Sequence, residues 1–210
     1  MKTINVLLVD DEVLLREGLR SLLAGEDFIK KIYEAGTANE FKTVIEKQSI
    51  DLVLLDIRLP GTNGLELLDL VKAKSPEVKV IAVTGLEGVE LMVSLLKAGV
   101  HGIVFKLDGY REILKAIKTV LREDNYFPEK IIRIIQANAK RWDHVPPVLL
   151  TAPENDMMKA LAHGMTTKEI ALELKMAETT AETYRIRLIK KLGVSNTAAL
   201  LAYAYRNGIL

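Results

Sequence analysis

Five short apolar runs, each followed by an amphipathic segment, dominate the first 122 or so residues. The runs are 4–9 (INVLLV), about 29–34, 51–56 (DLVLLD), 78–83 (VKVIAV) and 101–105. They are rich in Val, Ile and Leu and too short for helices, so they read as buried strands. Between them lie helical patterns over 13–24, 38–48, 65–75, 87–98 and 109–122, the fourth stopping at Gly99. In the first helix, Val13, Leu14, Leu19, Leu22 and Leu23 recur at helical spacing. Strict βα alternation implies a doubly wound, five-stranded parallel sheet with helices on its faces.

The rhythm changes after Tyr126-Phe127-Pro128. A helix over 129–142 follows, with Pro128 suited to its first turn and a stripe of Ile131, Ile132, Ile134 and Ile135 that needs something to pack on. Pro146-Pro147 breaks it. Residues 1–123 therefore form one domain, 124–147 a linker with a helix, and 148–210 a second domain. That last part reads as four helices over 151–163, 167–174, 178–192 and 197–206. Thr151 with Glu154 fits a capping box, and Gly164 and Gly193 fit helix stops.

Composition narrows the chemistry. The chain is 49% hydrophobic and 27% charged with a net charge of +1, so any nucleic-acid surface must be local. Cysteine is absent, which excludes disulfides, thiolate catalysis and cysteine zinc sites. His101, His144 and His163 are scattered without metal-ligand spacing. MKTINVLLVDDE turns acidic too early for a secretory signal, and no apolar run approaches the roughly 20 residues needed to span a bilayer. A cytoplasmic protein with no membrane association is expected.

The polar residues at the strand ends carry the chemistry. Asp10 and Asp11 follow the first strand, Asp56 ends the third, Thr84 ends the fourth, and Lys106 follows the fifth. In an open parallel sheet these ends converge at the carboxyl edge, where ligands bind. Clustered carboxylates repel unless a divalent cation sits among them. With a lysine and a hydroxyl, such a cluster suits a phosphoryl group.

VDDE, DIRLPGTNGLE, VTG and FK, in that order, resemble the receiver domain of two-component response regulators. The resemblance implies a flavodoxin-like fold with Asp56 as phosphoacceptor for a phosphohistidine on a sensor histidine kinase. It implies magnesium held by Asp11, Asp56 and the backbone carbonyl of Arg58, with Asp10 on metal-bound water. Lys106 would pair with a phosphoryl oxygen as a point charge, and Thr84 would donate a hydrogen bond to it. Catalysis is limited to self-phosphorylation and self-dephosphorylation. An aspartyl-phosphate hydrolase typically has a second acid two residues beyond the nucleophile, and here that residue is Arg58. Receivers often carry an aromatic three residues before the lysine; Ile103 stands there, so a rotating ring cannot relay the signal in its usual form.

Residues 150–210 resemble the helix-turn-helix domain of the LuxR or NarL/FixJ class. The matching residues are Leu150-Thr151, Glu154, Gly164, Lys168-Glu169-Ile170-Ala171, Thr180, Tyr184, Leu188 and Lys191-Leu192-Gly193-Val194. In this reading 167–174 is the scaffold helix, Lys175-Met176-Ala177 the turn and 178–192 the recognition helix. Ala181, Tyr184, Leu188 and Leu192 are expected to face the core. Arg185, Arg187, Lys190 and Lys191 make the helix locally basic and suited to phosphates, while Glu182 and Thr183 are placed for base edges. Ala177 replaces the usual capping serine.

Together these features imply a transcription regulator that binds double-stranded DNA and dimerises on phosphorylation or on DNA. The alternative is a DNA-binding regulator independent of phosphorylation, its receiver used for protein contacts.

Overall fold

The computed structural model describes residues 3–60, 62–85, 88–141, 150–207 and 209–210. Its elements run β1 (Ile4–Val9), α1 (Val13–Leu23), β2 (Ile29–Ala35), α2 (Ala38–Lys47), β3 (Leu52–Asp56), β4 (Arg58–Leu59), β5 (Thr62–Asn63), α3 (Gly64–Lys74), β6 (Lys79–Thr84), α4 (Val89–Lys97), β7 (Gly102–Phe105) and α5 (Gly109–Val120). Then come α6 (Glu129–Ala137), α7 (Ala152–Ala162), α8 (Thr167–Glu173), α9 (Glu178–Leu192) and α10 (Thr197–Arg206).

The long strands form a five-stranded sheet in the order β2-β1-β3-β6-β7, and every pairing is parallel. β3 is buried throughout, as a continuous apolar run requires when both faces of a parallel sheet are covered. The order reverses between β1 and β3, which creates a crevice at their carboxyl ends. The register brings those ends level: Val9 lies opposite Leu55, Asp56 opposite Val83, and Thr84 opposite Phe105.

A two-stranded antiparallel hairpin, β4–β5, follows β3 and was not expected from the sequence. Two-residue strands have too little length to show a period. Gly64 closes this excursion. A Cβ there would lie 2.7 Å from the Ile57 Cα and 2.8 Å from its carbonyl oxygen, so only glycine lets α3 start so close to the end of β3.

In α1 only Leu19 and Leu23 of the expected stripe are buried; Val13, Leu14 and Leu22 are 54%, 85% and 51% exposed. Those five positions spread over more of the helix than one sheet contact covers.

The chain divides into two compact units, Met1–Glu87 with Val100–Lys118, and Gly88–Gly99 with Thr119–Leu210. The second unit starts earlier than a linker over 124–147 implies. Asp124, Tyr126 and Phe127 are buried, and α6 packs its Ile131, Ile132 and Ile135 face against α4 and α10. It also includes α4, which the βα alternation assigns to the first domain. The expected break at Pro146-Pro147 lies outside the described residues.

Within the second unit, α7 begins with the expected reciprocal cap, the Thr151 amide donating to Glu154 Oε2 at 2.7 Å. α9 ends at Gly193 in the left-handed region, φ 63°. Its start, Ala177, has a suitable extended backbone but no side-chain acceptor. Ala177→Ser should therefore stabilise this unit by about 1 kcal/mol, seen as a higher midpoint in urea unfolding with unchanged slope. No described helix is long and apolar enough to cross a membrane.

Candidate functional site

Asp10 lies just beyond β1, Asp56 ends β3, Thr84 ends β6, and Lys106 follows β7. Asp10, Asp56 and Thr84 are buried, whereas Asp11 is exposed. Carboxylate oxygens of Asp10, Asp11 and Asp56 lie within 4.8 Å of one another. They sit in and beside an open cleft of about 440 Å³ lined by Asp11, Glu12, Asp56, Arg58, Leu59, Pro60, Gly85 and Lys106.

Short local hydrogen bonds orient the acids. The Glu12 amide donates to Asp10 Oδ1 at 2.8 Å, and the Arg58 amide donates to Asp56 Oδ1 at 2.9 Å. The Lys106 ammonium reaches Asp10 Oδ2 at 2.9 Å, Asp56 Oδ2 at 2.7 Å and Glu12 Oε1 at 2.6 Å. Burial alone would discharge this lysine, but its hydrogen bonds to Asp56, Glu12 and Asp10 outweigh burial and raise its pKa, so it stays cationic. Burial pushes the Asp10 carboxyl up, against the pull of Lys106 and the Glu12 amide. Glu12 is shifted down by its hydrogen bond to Lys106.

The geometry thus gathers Asp10, Asp11, Asp56 and Lys106 into one cleft and adds Glu12, which sequence reasoning missed. Its partner is 94 residues away, and an exposed glutamate after two aspartates carries no local signal. Thr84 is fully buried at the end of the strand beside β7. Hard oxygen donors in a half-open acidic cluster suit a small divalent cation that keeps part of its water shell.

The second candidate site is α9. Thr179, Thr180, Thr183, Ile186, Arg187 and Lys190 are exposed, and Glu182 is half-buried. Thr179 and Thr180 share this face with Thr183; Thr180 is one of the residues that carry the helix-turn-helix resemblance, and Thr179 has no mark in the sequence. The Thr183 hydroxyl donates to the Thr179 carbonyl at 2.8 Å. Lys191 is held by Glu154 at 2.6 Å. Arg185 is the clear departure from the sequence reading. It is only 8% exposed, and the core stripe is Ala181, Arg185, Leu188 and Leu192, with Tyr184 half-buried beside it. Its guanidinium bonds to the Glu123 carbonyl and Asn125, so it does not join the basic outer face.

Residues 6–118 match the model of the response regulator receiver domain, and 148–204 match that of the luxR family of bacterial regulatory proteins. The chain belongs to the response-regulator receiver family, with a luxR-family domain following the receiver. A putative transcriptional regulator of Pseudomonas aeruginosa is 33% identical over 98% of this chain and 99% of its own length. The transcriptional regulatory protein MctR of Rhizobium johnstonii is 31% identical over 99% of this chain and 95% of its own. Response regulator UvrY of Escherichia coli is 29% identical, covering 98% and 95%. Among solved structures, RcsB from Salmonella enterica serovar Typhimurium, bound to a promoter in the presence of phosphomimetic BeF3−, is similar with a TM-score of 0.61. At 23% identity, over 97% of this chain and 98% of that one, it supports the fold.

Proposed function

We propose that this chain is a DNA-binding response regulator that takes a phosphoryl group on Asp56 from a sensor histidine kinase and controls transcription through α9. The observation that carries the reading is one buried carboxylate, Asp56, sharing a cleft with two further acids and a charged lysine. An Asp56 carboxylate oxygen attacks phosphorus as the phosphorus–nitrogen bond of the donor phosphohistidine breaks. The electron pair leaves with the imidazole, and an acyl phosphate remains on Asp56.

Lys106 then exchanges its bond to Asp56 Oδ2 for one to a phosphoryl oxygen, while Asp10 and Glu12 keep it tethered at the cleft. Thr84 donates its hydroxyl to another phosphoryl oxygen. Asp10, Asp11 and Asp56, with the Arg58 carbonyl, would hold magnesium, which when bound offsets negative charge at the acceptor and on the phosphoryl group. This chemistry makes the chain a phosphoacceptor that catalyses only its own phosphorylation and dephosphorylation, acting in the cytoplasm.

The outer face of α9 suits a major groove, with Thr183 and Glu182 toward base edges and Arg187, Lys190 and Lys191 toward phosphates. Phosphorylation promotes a homodimer, whose two recognition helices lie about one helical turn of DNA apart.

The decisive experiment is incubation with a small phosphodonor and magnesium, followed by intact mass, oligomer size and DNA affinity. One added phosphoryl group, a shift to dimer and tighter DNA binding are expected. Labelling without any change in DNA affinity would instead favour a regulator that works independently of phosphorylation. For the DNA face, Lys190→Ala should weaken all duplexes alike and make the salt slope shallower by about one unit. Lys191→Ala should do less, because Glu154 already neutralises that ammonium. Glu182→Ala should change preference among operator variants. A uniform loss across those variants would remove Glu182 from base readout.

A further inference from the structure

Arg185 occupies the core-facing stripe of α9 between Ala181 and Leu188, both fully buried. A guanidinium there is tolerable only if it is hydrogen-bonded. Both of its amino groups find partners in one short segment that follows α5; one of them also reaches the Thr197 hydroxyl at 3.4 Å, while its buried Nε has no partner among the described residues. One Arg185 amino group donates to the Glu123 carbonyl, and the other donates to Asn125 Oδ1 at 3.1 Å. The same Asn125 oxygen accepts from the hydroxyl of Thr197, the first residue of α10, at 2.6 Å. Between them, Asp124 is 5% exposed and accepts the Thr167 amide at 2.9 Å and the Thr167 hydroxyl, at the start of α8. Glu123 has φ 63°, a backbone conformation a non-glycine residue holds only when its surroundings impose it.

We propose that Glu123–Asn125 is a strap that positions the recognition helix. Asp124, Asn125 and Arg185 are its positioning residues. Three consecutive residues contact the first turn of α8, the middle of α9 and the first residue of α10. These are the helices whose mutual angle sets how α9 presents its outer face to a groove. The contacts are polar and directional, so a small displacement of the strap breaks them, where an apolar contact would slide. Because the strap is the covalent continuation of α5, it also gives the end of the receiver a handle on α9. The inference rests on the DNA-binding reading for its functional consequence but not for its structural one.

A double-mutant cycle in the full chain tests it, with Asn125→Ala, Arg185→Leu and the pair. Arg185→Met serves as a second apolar variant, since either side chain suits the stripe shared with Ala181 and Leu188. Two quantities are read: hydrogen exchange of the amides over 178–186 without DNA, and affinity for a mixed-sequence duplex of about 30 base pairs at fixed salt. Asn125→Ala alone should speed exchange about tenfold and weaken the duplex about five- to tenfold, the usual size of a coupling between contacting groups. With leucine or methionine at 185, the same change should have a clearly smaller effect, about two- to threefold in each quantity, because only the Asn125 contact to Thr197 is then left to lose. Equal effects in both backgrounds, or none in the parent, would overturn the strap. If no protein, the parent included, binds the duplex, the DNA reading fails while the exchange cycle still decides for or against the strap.

Discussion

Asp56→Asn is expected to take up no phosphoryl group from either a kinase or a small phosphodonor, whereas the parent takes up one. The amide is nearly isosteric, so β3 and the Arg58 turn survive; the Arg58 amide that now donates to Asp56 Oδ1 still has a carbonyl oxygen to meet. What the amide lacks is the negative charge and lone-pair reactivity of the nucleophile. Asp10 cannot substitute. It is buried and engaged by the Glu12 amide and by Lys106, and burial pushes its carboxyl toward the neutral form. Asp11 is exposed and ends no strand. The parent's label should be lost on brief base treatment, as an acyl phosphate is, and survive minutes in acid. Asp11→Ala should keep Asp56 but lose both the magnesium dependence and most of the labelling. Undiminished mass addition in Asp56→Asn would assign the acceptor elsewhere.

The readable parts of this molecule are those where one residue's environment is set by its near neighbours. A strand buried on both faces must be apolar along its whole length, so β1 is legible at Ile4–Val9 and β3 to within a residue. The same runs place Asp10, Asp56, Thr84 and Lys106 at one edge before any coordinate is known. α9 is legible over its full length because Gly193 stops it. What stayed hidden depends on residues far away in the chain. Glu12 meets Lys106 across 94 residues, and Arg185 meets Asn125 across 60. A charged side chain on a basic helix reads as surface until its partners are found. A signal is present: positions 181, 185, 188 and 192 follow one helical stripe, but Tyr184 fits the edge of that stripe and is less polar than Arg185. The β4–β5 hairpin and the packing of α4 with α6 and α10 have no periodic mark at all.

Thr84→Ala should still allow Asp56 to be labelled, at a rate lower by about tenfold, the loss of one hydrogen bond to a charged group. It should not show the dimerisation or the gain in DNA affinity that labelling brings in the parent. Thr84 is fully buried at the end of β6, and the next helix in the chain is α4. That helix is tied into the second unit by two polar contacts. Arg141 forks onto both carboxylate oxygens of Glu90, and Asn196 donates its side-chain amide to the Leu96 carbonyl at 3.2 Å. Asn196 is also the cap of α10, accepting the Ala199 amide at 2.9 Å, so a shift of α4 reaches the helix after the recognition helix directly. The ring rotation common in receivers has no counterpart here, since Ile103 is fully buried on β7 and a β-branched aliphatic is stiff at its first torsion. The movement must therefore start from the threonine hydroxyl drawn to the phosphoryl oxygen and pass along the chain to α4 by repacking. A fully phosphorylated Thr84→Ala protein that dimerises and binds DNA like the parent would show that the signal leaves the cleft by a route without that hydroxyl.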